Sequence, residues 1–417
     1  MPQLEITAMT FGPYGIGHVD NRVVMVPNAA PGDVLEVDEH SARRGHGVGK
    51  IREIVRPGPH RRTAPCPFLP QCGGCDWQQI DYPEQLRLKG ELVAREFRKA
   101  FRLELEPQAL VDSAPSEFGY RSRIRLKVDQ RGRLGFHELD SNRLAEIDRC
   151  LVAAVDLGSA RKLTDALRGE VVEIEVVGKS ETSEVLVGYL RRPCSRQHIE
   201  RAQKVIAETP RLAGVVLRGS DQRNIIGDVE IDLEVEPGCT IRNAADVFSQ
   251  VNVAQNQKLV ATVIRVVSPA PDTTLVDLFC GSGNFSFPAA RRGARVIGVD
   301  SDPESIMAAS RNAERLGLSD TQFVAMKADA LAAFLHRARL RPAAAILDPP
   351  RTGAAALMVP IAKMRPLQVV YVSCDLATLV RDLKLLTAES YRIEQVRAFD
   401  FFPNTHHIEI VARAVLT

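Results

Sequence analysis

No apolar run in these 417 residues approaches the length needed to cross a bilayer, so no membrane-spanning helix is expected. The opening Met-Pro-Gln-Leu-Glu-Ile-Thr has neither the basic start nor the apolar stretch of a secretory signal, and a cytoplasmic protein is expected. The eight cysteines are then reduced thiols, and clustering among them points to metal or catalysis before disulfides. Neither internal repeats nor low-complexity tracts occur. A large net charge is missing as well, at +2 overall.

The distribution of that charge is uneven. Residues 1–42 hold Arg22 against Glu5, Asp20, Asp33, Glu36, Asp38 and Glu39, whereas residues 43–62 hold Arg43, Arg44, Lys50, Arg52, Arg56, Arg61 and Arg62 against Glu53. A second basic stretch runs through Arg121, Arg123, Arg125 and Lys127. Local patches of this kind are the footprint of a phosphate-bearing partner. With 45% apolar and 25% charged residues the chain is globular, and its length calls for two or three domains.

Three sections are expected. Residues 1–60 read as short strands, Leu4–Thr10, Arg22–Val26, Val34–Asp38 and Gly47–Ile54, with turns at Gly12, Gly15, Gly17 and Pro31-Gly32, which suggests a small OB-like β-barrel whose basic end favours RNA. Residues 61–245 form an α+β unit that opens with cysteines. Within it Leu88, Leu92, Phe97 and Phe101 mark a helix, and Arg87, Arg95, Arg98 and Lys99 its solvated face. The alternation from Tyr120 to Val128 puts Arg121, Arg123, Arg125 and Lys127 on one face of a strand. Such a ladder calls for RNA phosphates across it or, on the plainer reading, for internal carboxylates. Residues 246–417 alternate strand and helix, with strands at Thr274–Phe279, Arg295–Asp300, Gln322–Lys327, Ala344–Asp348 and Gln368–Ser373 and a closing hairpin of Ile393–Phe399 and His407–Ala412. This is an α/β pattern, a seven-stranded Rossmann-like sheet with ligands at the strands' carboxyl ends.

The chemistry-bearing residues cluster at those ends. Asp277-Leu278-Phe279-Cys280-Gly281-Ser282-Gly283-Asn284-Phe285 closes a strand and opens a helix, and its glycines allow backbone N–H groups close to a ligand. Ser286 stands where a dinucleotide fingerprint has its third glycine, so a pyrophosphate fits less well. Asp300 is placed for ribose hydroxyls and Asp329 lies where adenine would be; the acidic set suits a cationic nucleoside, S-adenosylmethionine. Cys280 is expected to be packing. Asp348-Pro349-Pro350 is followed by Arg351 and not by a base-stacking aromatic, which disfavours methylation of an exocyclic amine. Cys374 ends the fifth strand and is expected to be a nucleophile. Glu409, between Ile408 and Ile410, suits a general base.

Cys66, Cys72 and Cys75 have the spacing C-x5-C-x2-C, and Cys150 is the nearest candidate for a fourth ligand. Spacing leaves zinc and an iron–sulfur cluster both open. Cys194 and Cys239 are unassigned.

The motifs Asp-Leu-Phe-Cys-Gly-Ser-Gly-Asn-Phe, Leu-Asp-Pro-Pro-Arg, Val-Ser-Cys-Asp and His-His-Ile-Glu resemble those of the RNA uracil-5-methyltransferase family across essentially the whole chain. The nearest likeness is to its form with a TRAM barrel, which modifies 23S ribosomal RNA. The resemblance implies that Cys374 is the nucleophile, Glu409 the proton-abstracting base, and Gln250, Phe279, Asn284, Asp300, Asp329 and Asp348 the cofactor contacts. It also implies a [4Fe–4S] cluster on Cys66, Cys72, Cys75 and Cys150. One departure is Asp375-Leu376 after the cysteine, where the family often has Asn-Pro. The expected partner is RNA, 23S rRNA first, and the expected state a monomer; a tRNA uracil methyltransferase and a non-catalytic RNA-binding iron–sulfur protein are the alternatives.

Overall fold

Residues 3–56 form a curled six-stranded sheet in the order Gln3–Glu5, Val34–Arg43, His46–Arg56, Arg22–Pro27, Tyr14–Val19, Ala8–Met9. Its two edge strands are joined by only Ile6 and Thr7. Ile6 N–H donates to Asp33 O at 2.8 Å on one side and Thr7 N–H to Ile16 O at 2.8 Å on the other, which bends the sheet round on itself. Tyr14–Val19 is a strand, although its glycines read as turns. The glycines answer to crowding: a Cβ on Gly17 would stand 2.5 Å from Glu5 O, and one on Gly15 2.9 Å from Ile6 and Ala29. The structure is a computed structural model that describes residues 3–19, 22–43, 46–180, 182–220, 222–337 and 341–417. Arg44, counted above in the first basic stretch, lies outside the described residues.

The middle sheet has seven strands, in the order Leu144–Glu146, Leu134–His137, Arg123–Val128, Val171–Ser180, Ser183–Leu190, Leu212–Arg218, Arg223–Gly227. Helices Gly158–Ala166 and Arg196–Ala207 bury Leu163, Ala202 and Val205 against Ile124, Ile174 and Val215 on one face. Val185, Val187 and Val216 on the other face pack against Ile231, which the hairpin Glu230–Glu236/Cys239–Ala244 supplies. Here the basic ladder is corrected. Its strand pairs antiparallel with Val171–Ser180, setting Glu173 opposite Lys127 and Glu175 opposite Arg125. Lys127 and Arg125 both pair with Glu173, Arg123 stands 3.7 Å from Glu175, and Arg123 donates to Val247 O at 3.1 Å. Cross-strand carboxylates therefore pair with Arg123, Arg125 and Lys127, while Arg121, ahead of the strand, turns to the cysteine cavity and the Phe402 ring, so the four do not form one free phosphate track.

The third sheet has eight strands: Thr321–Ala325, Arg295–Asp300, Thr274–Leu278, Ala344–Leu347, Gln368–Ser373, Glu409–Leu416, Tyr391–Phe399, Val111–Asp112. The first five are parallel, and Glu409–Leu416 runs antiparallel to both its neighbours. Helix Val253–Val267 buries Leu259 and Val263 on one face of the sheet, and helices Ala355–Met364 and Leu376–Thr387 bury Leu357, Ile361 and Leu383 on the other. Gly317, in the left-handed conformation at φ +67°, ends helix Pro303–Leu316 as its sequence suggests. The eighth strand comes from the section expected as the central domain, as does helix Tyr82–Phe101, whose Val93 and Phe97 join this core. Among the described residues no helix is long and apolar enough to cross a membrane.

Candidate active site

Strand register brings the site together. Leu278 is level with Val299 and Leu347, Leu347 with Tyr371, and Ser373 with Ile410. The residues one step beyond, Phe279, Asp300, Asp348, Cys374 and Glu409, therefore line a single edge of the sheet.

The glycine loop is built for close approach. Phe279, Gly281 and Gly283 have φ of +62°, +53° and +101°, a conformation costly for the phenylalanine and held by bonds from Phe279 N and Cys280 N to Val299 O. Asp300 accepts from Gly281 N–H and Asp302 N–H, both at 2.9 Å, which anchors its carboxylate at the mouth of the loop. Asn284 and Asn256 exchange amide hydrogen bonds at 2.8 and 3.0 Å, so Asn256 sets the orientation of Asn284. Cys280 is buried with its sulfur against Gly298, as packing.

A buried and a half-buried carboxylate crowd beneath. Asp277 accepts from Ser286 Oγ at 2.5 Å, while its Oδ1 is buried with no partner among the described residues. Burial, with the nearby charge of Asp300, pushes Asp277 up to about 7. Burial and the charges of Asp277 and Asp300 likewise raise Asp348. Mutually repelling carboxylates at one sheet edge, with an acceptor to spare on Asp277, suit a cationic ligand, as S-adenosylmethionine is.

Gln250 and Asp329 are less defined. The Phe248–Asn252 segment is pinned by Ser122, which bonds Val251 O, and by Asn252 Nδ2, which donates to Phe401 O at 3.1 Å. That holds half-buried Gln250 beside the sheet edge. Asp329 lies in the first turn of helix Ala328–Arg337, and its side chain lies outside the described residues. Phe248, 68% exposed, is a feature the sequence reading passed over; an aromatic beside the polar Ser-Gln-x-Asn stretch was its only signal.

Cys374 and Glu409 face one another where their strands end. Burial pushes the Cys374 thiol up to about 11, and the carboxylates of Glu409 and Asp348 push the same way, against the Arg351 guanidinium. Glu409 is 4% exposed; burial and the charge of Asp348 hold it well above the usual carboxylate range, with Arg351 opposing. A half-buried thiol and a buried carboxyl group thus meet at the edge where Phe279, Asp300 and Asp348 also lie.

Cys66, Cys72, Cys75 and Cys150 line a second cavity with Phe68, Phe136 and Arg121. Gly73 is required there, since a Cβ would meet His137 O at 2.7 Å. Among the described residues no three His, Cys, Asp or Glu side chains are drawn together to hold a metal ion, so the thiols meet as walls of a cavity and not as a closed coordination sphere. Burial raises Cys72 to about 11 and Cys75 to about 12, and also raises Cys150; each thiolate disfavours the next. A cation in the place of their protons would offset the burial that raises Cys72, Cys75 and Cys150, and cysteine sulfur suits iron or zinc.

Residues 214–413 match the model of the tRNA (uracil-5-)-methyltransferase family. An uncharacterised RNA methyltransferase of Gloeobacter violaceus is 33% identical over 98% of this chain and 95% of its own length. A 23S rRNA (uracil(1939)-C(5))-methyltransferase of Methylococcus capsulatus is 31% identical over 95% of this chain and 93% of its own. In fold, the chain is similar to the Pyrococcus abyssi tRNA (uracil-54, C5)-methyltransferase solved with S-adenosyl-L-homocysteine. The TM-score is 0.76 at 23% identity, over 99% of this chain and 100% of that one.

Proposed function

Since the chain belongs to the RNA uracil-5-methyltransferase family, we propose that it methylates carbon 5 of a uridine in RNA, with Cys374 as nucleophile and Glu409 as base. The observation that carries this reading is the register of Ser373 against Ile410, which brings Cys374 level with Glu409 at the edge where Phe279, Asp300 and Asp348 also end. Asn284, Asp300, Asp348, Phe279, Gln250 and Asp329 are proposed to hold S-adenosylmethionine, which supplies an electrophilic methyl group.

Carbon 5 of uracil is too weak a nucleophile to take a methyl group directly. Addition of the Cys374 sulfur to carbon 6 pushes the ring electrons toward carbon 5, which would then take the methyl group as its bond to the sulfonium sulfur breaks and leaves a neutral thioether. Glu409 removes the proton from carbon 5, the double bond returns, and the sulfur leaves. The base must first unstack, at a cost of a few kcal/mol, and the exposed Phe248 ring offers a surface on which a neighbouring base can stack. Glu409→Gln should therefore methylate once and accumulate a covalent protein–RNA adduct that survives denaturing electrophoresis, while Cys374→Ala forms neither adduct nor product. If Cys374→Ala still yielded 5-methyluridine, the covalent route would be wrong.

The 30–31% identity to 23S rRNA enzymes over nearly full length favours rRNA as the substrate. Mapping which 5-methyluridine disappears from rRNA and tRNA on gene deletion decides between them. Residues 1–60 are proposed as a TRAM-type RNA-binding barrel, 61–245 as a central domain and 246–417 as the methyltransferase domain of a monomer. The thiols of Cys66, Cys72, Cys75 and Cys150 are proposed to hold a [4Fe–4S] cluster; their common cavity and mutual repulsion support a cationic guest.

A further inference from the structure

The loop that delivers Glu409 to the site is gripped by the segment that carries the cysteines. Asp76, next to Cys75, accepts from His406 N–H at 2.9 Å, and its second oxygen meets His406 Nδ1 at 2.5 Å. The N–H groups of Asp76 and Trp77 both donate to Asn404 O, at 3.2 and 3.0 Å. The His406 ring lies 4.0 Å from that of His407, centroid to centroid, and His407 Nε2 stands 3.4 Å from Arg351 Nη2. Arg351 projects from a turn closed by Gly353 N–H on Pro350 O at 2.8 Å and Ala354 N–H on Asp382 at 2.6 Å. Strand register sets this turn at the edge where Cys374 and Glu409 also lie, and the Arg351 charge acts on both.

We propose that Arg351 is the counter-cation of the Cys374 thiolate, and that Asp76, acting through His406 and His407, is the positioning residue that aims it. The proposal rests on the reading of Cys374 as the nucleophile. Cys374 faces a carboxylate from each side, Glu409 on the last strand and Asp348 beyond the fourth parallel one, and both resist a further negative charge. The Arg351 charge opposes both of them at this thiol. A guanidinium keeps its charge at every working pH, but an exposed arginine side chain has many rotamers to choose from.

His407 supplies the restraint. Burial and the neighbouring His406, Arg351, Lys89 and Arg121 push its imidazole down to about 3. The ring is therefore neutral, and Nε2 can accept a guanidinium N–H while the ring proton sits on Nδ1. His406 backs that ring, and Asp76 fixes His406 through both backbone and imidazole. A line of contact thus runs from the cysteine loop to the reacting sulfur.

The test follows alkylation of Cys374 by iodoacetamide in the full chain without RNA, resolved from the other cysteines by peptide mass spectrometry, as a function of pH. Arg351→Met should slow alkylation at fixed pH by about tenfold or more, because an opposite charge this close is worth roughly one pKa unit or more. Arg351→Lys should recover part of the rate. Asp76→Ala should slow Cys374 in the same direction by a smaller factor. An Arg351→Met profile that superimposes on wild type overturns the proposal. A slowed Arg351→Met with unchanged Asp76→Ala overturns the positioning half. Wild-type enzyme that forms no covalent adduct with 5-fluorouridine RNA and S-adenosylmethionine overturns the nucleophile itself, whatever Arg351 does.

Discussion

At the scale of single residues, Asp277 links the cofactor pocket to stability. Its carboxyl is 1% exposed and pushed from 3.8 up to about 7, so the folded chain holds that proton more tightly than the unfolded chain does. The resulting stabilisation is complete below the unfolded value of 3.8 and is lost as pH rises through about 7. The protein without cofactor should therefore melt a few degrees lower at about pH 8 than at about pH 5.5. S-adenosylmethionine brings positive charge to the ionised carboxylates and should raise the melting temperature more at the higher pH. Asp277→Asn should flatten both effects. A cofactor-induced shift equal at the two pH values would mean that the enclosed carboxylates do not meet the cofactor's charge.

Among the elements, helix Tyr82–Phe101 and the 400–407 loop are joined by a buried ion pair as well as by the Gln85–Asn404 hydrogen bonds. Lys89 Nζ lies 2.7 Å from Asp400 Oδ1, with both side chains wholly buried, and it also reaches Phe402 O at 3.4 Å. Removing one partner of such a pair strands a charge, and Lys89→Met is expected to cost about 3–5 kcal/mol. The double variant Lys89→Met/Asp400→Leu should regain most of that loss, because an apolar pair has no stranded charge. Denaturant midpoints that are equally low for the single and double variants would show that packing of the lysine stem, and not the charge, is what matters. The helix itself was readable: Asp81 caps it by accepting from Glu84 N–H at 2.9 Å, and Leu88, Leu92 and Phe97 are buried as their spacing requires. Lys89 was not readable, because one lysine beside an apolar stripe looks like any solvated charge until its carboxylate arrives from residue 400.

For the whole molecule, the cysteine segment is the piece on which the three sheets converge. Trp77 Nε1 donates to Gly12 O at 3.2 Å and Gln79 Nε2 to Ala29 O at 3.0 Å in the curled sheet. Gly73 N–H donates to His137 O at 3.0 Å in the middle sheet, and the N–H groups of Asp76 and Trp77 hold the 400–407 loop through Asn404 O. On the proposal that this segment holds a [4Fe–4S] cluster, anaerobically purified protein should be brown and contain iron and sulfide. Cys66→Ser should lose both and become sensitive to protease, with RNA binding suffering more than the methyl-transfer step of the surviving folded fraction. Elemental analysis that found zinc without iron would replace the cluster with a mononuclear site.

Local pattern alone determined the parallel sheet and the alignment of its chemistry. In a βαβ array every parallel strand points the same way, so residues that close successive strands, from Phe279 to Asp300, Asp348 and Cys374, must gather at one edge. Only the tertiary structure decided which charges meet. The Arg123–Lys127 ladder is matched by Glu173 and Glu175 because of an antiparallel register set some fifty residues away. Gly15 and Gly17 sit within a strand because Leu4–Ile6 folds back over it. Arg351 reaches Cys374 by way of His407, His406 and Asp76, which are more than fifty and nearly three hundred residues distant along the chain. Periodicity reports the face and the end of an element, which are local properties; the partner of a charge depends on long-range register, and no local pattern encodes that.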